Sequence, residues 1–166
     1  MIKIPEHGYC FGCGKASRKG LNATLYYDPE TSSVQAEYVY SIHHQGPPGY
    51  AHGGATFTLL DEVMGVTAWV NGYSVMLRHM EIDYLRPVPL GKRVFFEGTI
   101  DEVVDDRKIF IRGRIYDEEG DFIVARGLYV HVEHDVFRQF RHLLMSVLED
   151  WDSSPAPSPS VISSAG

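Results

Sequence analysis

From Gly53 to Val70 the apolar positions leave no clearly polar face: Ala55, Phe57, Leu59, Leu60, Val63, Met64, Val66, Ala68, Trp69 and Val70 cover every side of a helical projection. A helix that is apolar nearly all round is a buried one, and Asn71-Gly72 supplies the stop. On both sides the period changes to two. Leu21 to Asp28 and Val34 to Tyr40 read as strands joined by the turn Asp28-Pro29-Glu30. The loop Ser41 to Tyr50 follows, and its two prolines and two glycines exclude regular structure. After the helix, Tyr73 to Glu133 reads as four long antiparallel strands. In the first, Met80, Ile82 and Tyr84 alternate with His79, Glu81 and Asp83. Val94, Phe96 and Ile100 mark the second, Ile109, Ile111 and Ile115 the third, and Phe122, Val124, Leu128, Val130 and Val132 the fourth. A last helix, with Asp135 as N-cap, carries Val136, Phe140, Leu143, Leu144, Val147 and Leu148 on one face and Arg138, Arg141 and His142 on the other.

A helix so apolar must be wrapped, and only the sheet is large enough to wrap it. The expected class is α+β, an antiparallel sheet curled around a central buried helix, with an additional C-terminal surface helix. Residues 1–20 read as an irregular lead-in, 21–150 as one domain, and 151–166 as a disordered Ser/Pro/Ala/Gly tail. A net charge of -7 without a clustered basic face speaks against nucleic acid. No apolar run reaches the roughly 18 residues of a membrane span, and the first residues lack the apolar core of a signal peptide. The expectation is a cytoplasmic protein with no membrane partner. Cys10 and Cys13 form one pair where zinc needs four ligands; His7 offers a third, with a second subunit to complete the set. The plainer expectation is a tight glycine turn with two partly buried thiols and no metal.

The candidate chemistry centres on His52-Gly53-Gly54 and Asp61. The glycines fall where the first N–H groups of the helix lack an intrahelical partner, and without a Cβ they let a carbonyl oxygen come close. The helix dipole adds positive charge there, suiting the site to an acyl-transfer oxyanion. Asp61 follows about two turns on, in an apolar stretch where a carboxylate is costly to bury. Small residues flank it on the helix surface, namely Thr58, Gly65 and Ala68, whereas Glu62 points away among bulkier neighbours. Structural readings of the same residues, a loop-to-helix junction and an ion-paired Asp61, stay open on these features alone.

The chain resembles the PaaI-like acyl-CoA thioesterases of the hotdog superfamily, and among them the thioesterase-superfamily-member-4 type. The resemblance rests on Cys10-Phe-Gly-Cys-Gly with Gly20-Leu21, on His44-Gln-Gly-Pro-Pro-Gly-Tyr-Ala-His-Gly-Gly54, and on Leu60-Asp61-Glu62. Tyr84-Leu-Arg-Pro-Val-Pro-Leu-Gly91 and Gly120…Ala125-Arg126-Gly127 complete it, in that order. It implies a hotdog fold and hydrolysis of an acyl-CoA thioester to free acid and CoA, with no cofactor beyond the CoA of the substrate. It implies that the Gly53 N–H polarises the thioester carbonyl and that Asp61 is nucleophile or general base. His52 then shapes the helix entry. Gly54, His44, Gln45, Leu77, His79, Arg86 and Arg107 are candidate substrate contacts, the arginines through CoA phosphates. The resemblance also implies a homodimer with one continuous sheet, and pairing of dimers into a homotetramer. One departure stands out: where the family usually carries Thr or Ser opposite the carboxylate, this chain has Leu77. That leaves a second reading, a non-hydrolytic protein binding acyl-CoA or another acyl ligand. Dehydration chemistry fits less well, because no Asp-x4-His pair is found.

Overall fold

The computed structural model describes residues 1–135 together with Gln139, His142 and Ser146. Most of the expected C-terminal helix, and all of the tail after Trp151, lie outside the described residues.

One antiparallel sheet of seven strands packs against one long helix. The strands are β1 (Ile2–Lys3), β2 (Leu25–Asp28), β3 (Ser33–Val39), β4 (Val75–Tyr84), β5 (Arg93–Val104), β6 (Lys108–Asp117) and β7 (Gly120–His131), and the helix is α1 (Gly53–Val70). Their spatial order is β1-β2-β3-β5-β6-β7-β4, so the strand leaving the helix lies at one edge of the sheet. The lead-in is less irregular than expected, since Ile2 and Lys3 pair with Tyr27 and Tyr26. The first expected strand is correspondingly shorter, because Leu21 to Thr24 run beside the lead-in loop: Leu21 and Ala23 donate to the carbonyls of Phe11 and Gly12. The Pro/Gly-rich loop holds a short 3-10 turn at Ile42–His44, which Ser41 and the His44 side chain cap reciprocally.

The helix begins and ends where the sequence places it. His52, in an extended conformation, is the N-cap, and Gly72 takes a positive φ of 91° just past Asn71. Leu59, Leu60, Val63 and Met64 are wholly buried, as are Phe96, Ile109, Ile111 and Ile115 on the sheet. Small residues set how close the helix comes. Gly98 of β5 and Gly113 of β6 are direct cross-strand partners. A Cβ at Gly98 would stand 2.5 Å from Thr67 Oγ1, and one at Gly113 would collide with Met64 Sδ. The helix therefore rests on bare backbone at the middle of the sheet.

Strand β7 corrects one sequence expectation. The apolar set that marks it, Phe122, Val124, Leu128, Val130 and Val132, is for the most part not the helix-facing set. Ile123, Ala125, Gly127 and Tyr129 are buried toward α1 instead. Both faces of this strand carry apolar residues, so alternation alone does not fix its phase; a shift of one residue exchanges the faces.

Candidate active site

Asp61 lies on α1 where the helix passes the β7–β4 edge of the sheet. It is half-buried, and with Gly65 and Val66 of the helix, Val75 and Leu77 of β4, and Tyr129 of β7 it lines a cavity of about 460 Å³. Gly65 supplies the small wall beside the carboxylate. Tyr129 Oη donates to Asp61 Oδ1 across 2.7 Å. Burial raises the carboxyl group above its ordinary pKa, and the Tyr129 hydrogen bond works against that rise by favouring the anion. Burial also pushes the Tyr129 phenol up, so it stays a protonated donor.

Tyr129 is the residue sequence reasoning missed, and it stands directly beside Leu77. Leu77 and Tyr129 are cross-strand partners on β4 and β7. The hydroxyl absent from β4 thus arrives from the adjacent strand on a longer side chain. The readable signal was its odd-numbered phase with Ala125 and Gly127, obscured by the apolar residues in the even phase.

The start of the helix forms a second centre. His52 Nδ1 accepts from the Gly54 N–H at 2.9 Å, and the His52 carbonyl accepts from Ala55 and Thr56. Among the described residues the Gly53 N–H meets no acceptor. His52 and Gly54 are thus engaged with each other, while the Gly53 N–H remains available to a ligand. Tyr84, the last residue of β4, donates to the Gly53 carbonyl at 3.3 Å.

The other candidates are spread more widely. His44 caps its turn, accepting from Ser41 N at 3.0 Å, and its carbonyl accepts from His52 N at 2.7 Å, which ties the loop to the helix entry. Gln45 Oε1 accepts from Gly49 N. His79 is exposed on the free edge of β4, 3.8 Å from Glu81. Arg86 lies away from the Asp61 cavity but lines a pocket with Gly53 and Tyr84 at the helix start; its guanidinium contacts Asp117 at 3.0 Å and Glu119 at 3.3 Å, and donates to the carbonyls of Asp121 and Gly120. Arg107 sits in the β5–β6 turn, its carbonyl accepting from His131, the cross-strand partner of cavity residue Val75. Glu62, at a different angle on the helix, lines the same cavity, and its carboxylate accepts from Cys10 Sγ.

Comparison with known proteins agrees with this architecture. The profile of the family described as "Thioesterase superfamily" matches residues 48–124, from the loop before the helix through β7. A crystal structure of protein RHA08564, described as a thioesterase superfamily protein, superposes with a TM-score of 0.70 at 30% identity, covering 74% of this chain and 60% of that one. The chain has the hotdog fold, and its residues 48–124 are similar to the thioesterase superfamily. The hotdog domain is also similar to rat acyl-coenzyme A thioesterase THEM4, with 29% identity over 118 residues, which is 70% of this chain and 50% of the relative. The chain thus spans about half the length of the curated relatives it matches. The E. coli PaaI protein shares the hotdog fold at a TM-score of 0.63 and 16% identity, covering 72% of this chain and 86% of PaaI. Among the described residues no helix is long and apolar enough to cross a membrane.

Proposed function

We propose that this chain hydrolyses an acyl-CoA thioester to the free acid and coenzyme A. The observation that carries the reading is Asp61, a half-buried carboxylate in a largely apolar cavity, held by the Tyr129 hydroxyl and flanked by small residues. The similarity to relatives named acyl-coenzyme A thioesterase supports the substrate class.

The geometry favours a site shared between two copies. Gly53 and Asp61 are eight residues apart on one helix, about 12 Å along its axis. One thioester carbonyl cannot touch both groups of the same chain. Gly53 lies beside Tyr84 at the end of β4, and Asp61 beside Val75 and Leu77 at its start. Among the described residues β4 is an edge strand with its outer side unpaired. Antiparallel pairing of β4 with a second copy of itself would bring the Gly53 end of one chain to the Asp61 end of the other. The strand suits that pairing: Arg78 and His79 occupy its first half, Glu81 and Asp83 its second, so antiparallel pairing opposes unlike charges. Exposed Met76, Tyr84 and Leu85 add apolar surface along the same edge. The proposal is a homodimer carrying two such sites, with dimers pairing further into a tetramer.

In the shared site the Gly53 N–H of one chain polarises the carbonyl and receives the developing oxyanion. Ionised Asp61 of the other chain either takes a proton from water as the water oxygen bonds to the carbonyl carbon, or attacks that carbon itself to give an acyl anhydride that water then opens. In both routes the C–S bond breaks, the CoA sulfur leaves and is protonated, and Asp61 is regenerated. The apolar cavity takes the acyl chain. Arg107 is the better phosphate partner, because Arg86 already spends its guanidinium on Asp117 and Glu119.

The test is thiol release from a panel of acyl-CoAs by wild type and Asp61→Asn. Loss of a general base or nucleophile is expected to lower kcat by roughly 10²-fold or more. Equal rates in the two proteins would remove Asp61 from the mechanism. Calorimetric binding of CoA thioesters without any turnover by wild type would instead establish the binding-protein reading.

A further inference from the structure

A second cluster lies beside the Asp61 cavity, and its side chains take no part in the chemistry above. His7, Cys10 and Cys13 project from the lead-in loop and Glu62 from the helix, and one donor atom from each lies within 4.8 Å of all the others. We propose that these four side chains form a closed tetrahedral Zn²⁺ site that fastens the lead-in to the helix bearing Asp61.

The distances fit such a site. Bond lengths of roughly 2.0–2.3 Å from zinc to N, O or S at tetrahedral angles put neighbouring donors roughly 3.3–3.8 Å apart. Cys10 Sγ stands 3.3 and 3.4 Å from the two Glu62 oxygens, and His7 Nδ1 stands 3.6 Å from Glu62 Oε1. These pairs stand at the spacing of neighbouring vertices of a coordination tetrahedron, and with all four donors within 4.8 Å of one another a contraction of about 1 Å or less closes the set.

The loop is shaped for this contact. Cys10 N donates to the His7 carbonyl at 2.9 Å, Gly14 N to Cys10 O at 3.0 Å, and Ala16 N to Gly8 O at 3.0 Å, folding the His-x2-Cys-x2-Cys segment into a knuckle. A Cβ at Gly12 would stand 2.8 Å from Glu62 Cγ, and one at Gly14 would collide with the Gly8 carbonyl. Both glycines are therefore demanded by close approach, one to the fourth ligand and one to the knuckle itself.

Charge points the same way. Two thiols and a carboxylate gathered away from water repel one another once ionised, and a single imidazole offsets one charge at most. A divalent cation offsets two and gives each group a partner. The N, O and two S donors at tetrahedral spacing select zinc rather than magnesium or calcium, which take oxygen ligands. Cys13 is 2% exposed, and the His7 and Glu62 side chains are 18% and 16% exposed. With four protein ligands and little access for water, the site is structural and not a generator of hydroxide. His7 and Glu62 also line the cavity that holds Asp61, so the ion would set the position of that wall.

The sequence allowed a third ligand in His7 but sought the fourth in another subunit; the fold supplies it from the same chain. The test uses the full-length, untagged chain purified under reducing conditions without chelator, with metal measured by plasma mass spectrometry. About one zinc per chain is expected in wild type, with loss of the ion in Cys13→Ser and Glu62→Gln. Stripping the wild type and adding Co²⁺ should give sulfur-to-cobalt charge-transfer bands and the visible bands of a tetrahedral ion. This measurement needs no variant to fold. Apoprotein that takes up neither Zn²⁺ nor Co²⁺, a Cys10–Cys13 disulfide in freshly reduced protein, or undiminished zinc in a folded Cys10→Ser/Cys13→Ser variant would each overturn the proposal. None of these outcomes depends on thioesterase activity.

Discussion

Tyr129 of β7 holds Asp61 of α1 by a 2.7 Å hydrogen bond from phenol to carboxylate, and on the neighbouring strand β4 its cross-strand partner is Leu77. The bond fixes the carboxylate rotamer and favours its ionised form inside a cavity that otherwise disfavours it. It also supplies from β7 the hydroxyl that β4 lacks.

Removing that hydroxyl tests the relationship. Tyr129→Phe should lower kcat by roughly ten- to a hundredfold, the worth of a hydrogen bond to a charged group. Without the donor the Asp61 pKa rises further, and because the ionised form is the active one, the acidic limb of the rate–pH profile should move to higher pH. An unchanged profile would reduce Tyr129 to a packing residue.

Shared sites predict complementation between two inactive variants. Gly53→Pro deletes one N–H at a helix position that accepts proline, and His52 before it already has φ -65° and ψ 136°, suited to a pre-proline residue. Its kcat should fall by roughly 10²–10³-fold. Co-refolding it with Asp61→Asn should restore about a quarter of wild-type activity, since half the dimers are mixed and each holds one intact site of two. No recovery in verified mixed dimers would return both groups to one chain.

The Arg86 network makes its own prediction about acid. Asp117 contacts Lys92 Nζ at 2.6 Å and Arg86 Nη2 at 3.0 Å, and Lys92 first, then Arg86, lowers its pKa from 3.8 to about 2. A depressed carboxyl pKa stabilises the fold fully above the unfolded value and is lost as pH falls through the folded one. Melting temperature should therefore drop between pH 3.8 and about 2. Asp117→Asn should flatten that drop while melting lower at neutral pH.

At the centre of the sheet, Gly113→Ala should destabilise by about 1–3 kcal/mol, because the added methyl meets Met64 with no space to enter. Urea denaturation measures it. A neutral effect would mean that Met64 swings aside and that the helix does not rest on the glycine.

The sequence by itself determined the elements that rest on local periodicity and on backbone chemistry. The apolar run of Gly53–Val70 could only be a buried helix, His52 and Gly72 marked its ends, and the helical period already set Asp61 and Glu62 at different angles on it. Fold class followed, because such a helix must be covered. Tertiary structure decided everything that depends on which strands become neighbours. Tyr129 reaches Asp61 only because β7 lies between β6 and β4, and the phase of β7 was unreadable with apolar residues on both faces. Arg86 looked available for phosphate until the turn at Asp117–Gly120 folded onto it. Glu62 read only as pointing away from Asp61 among bulkier neighbours, yet the lead-in loop packs Cys10 against it, a contact between residues 52 positions apart that no local pattern encodes.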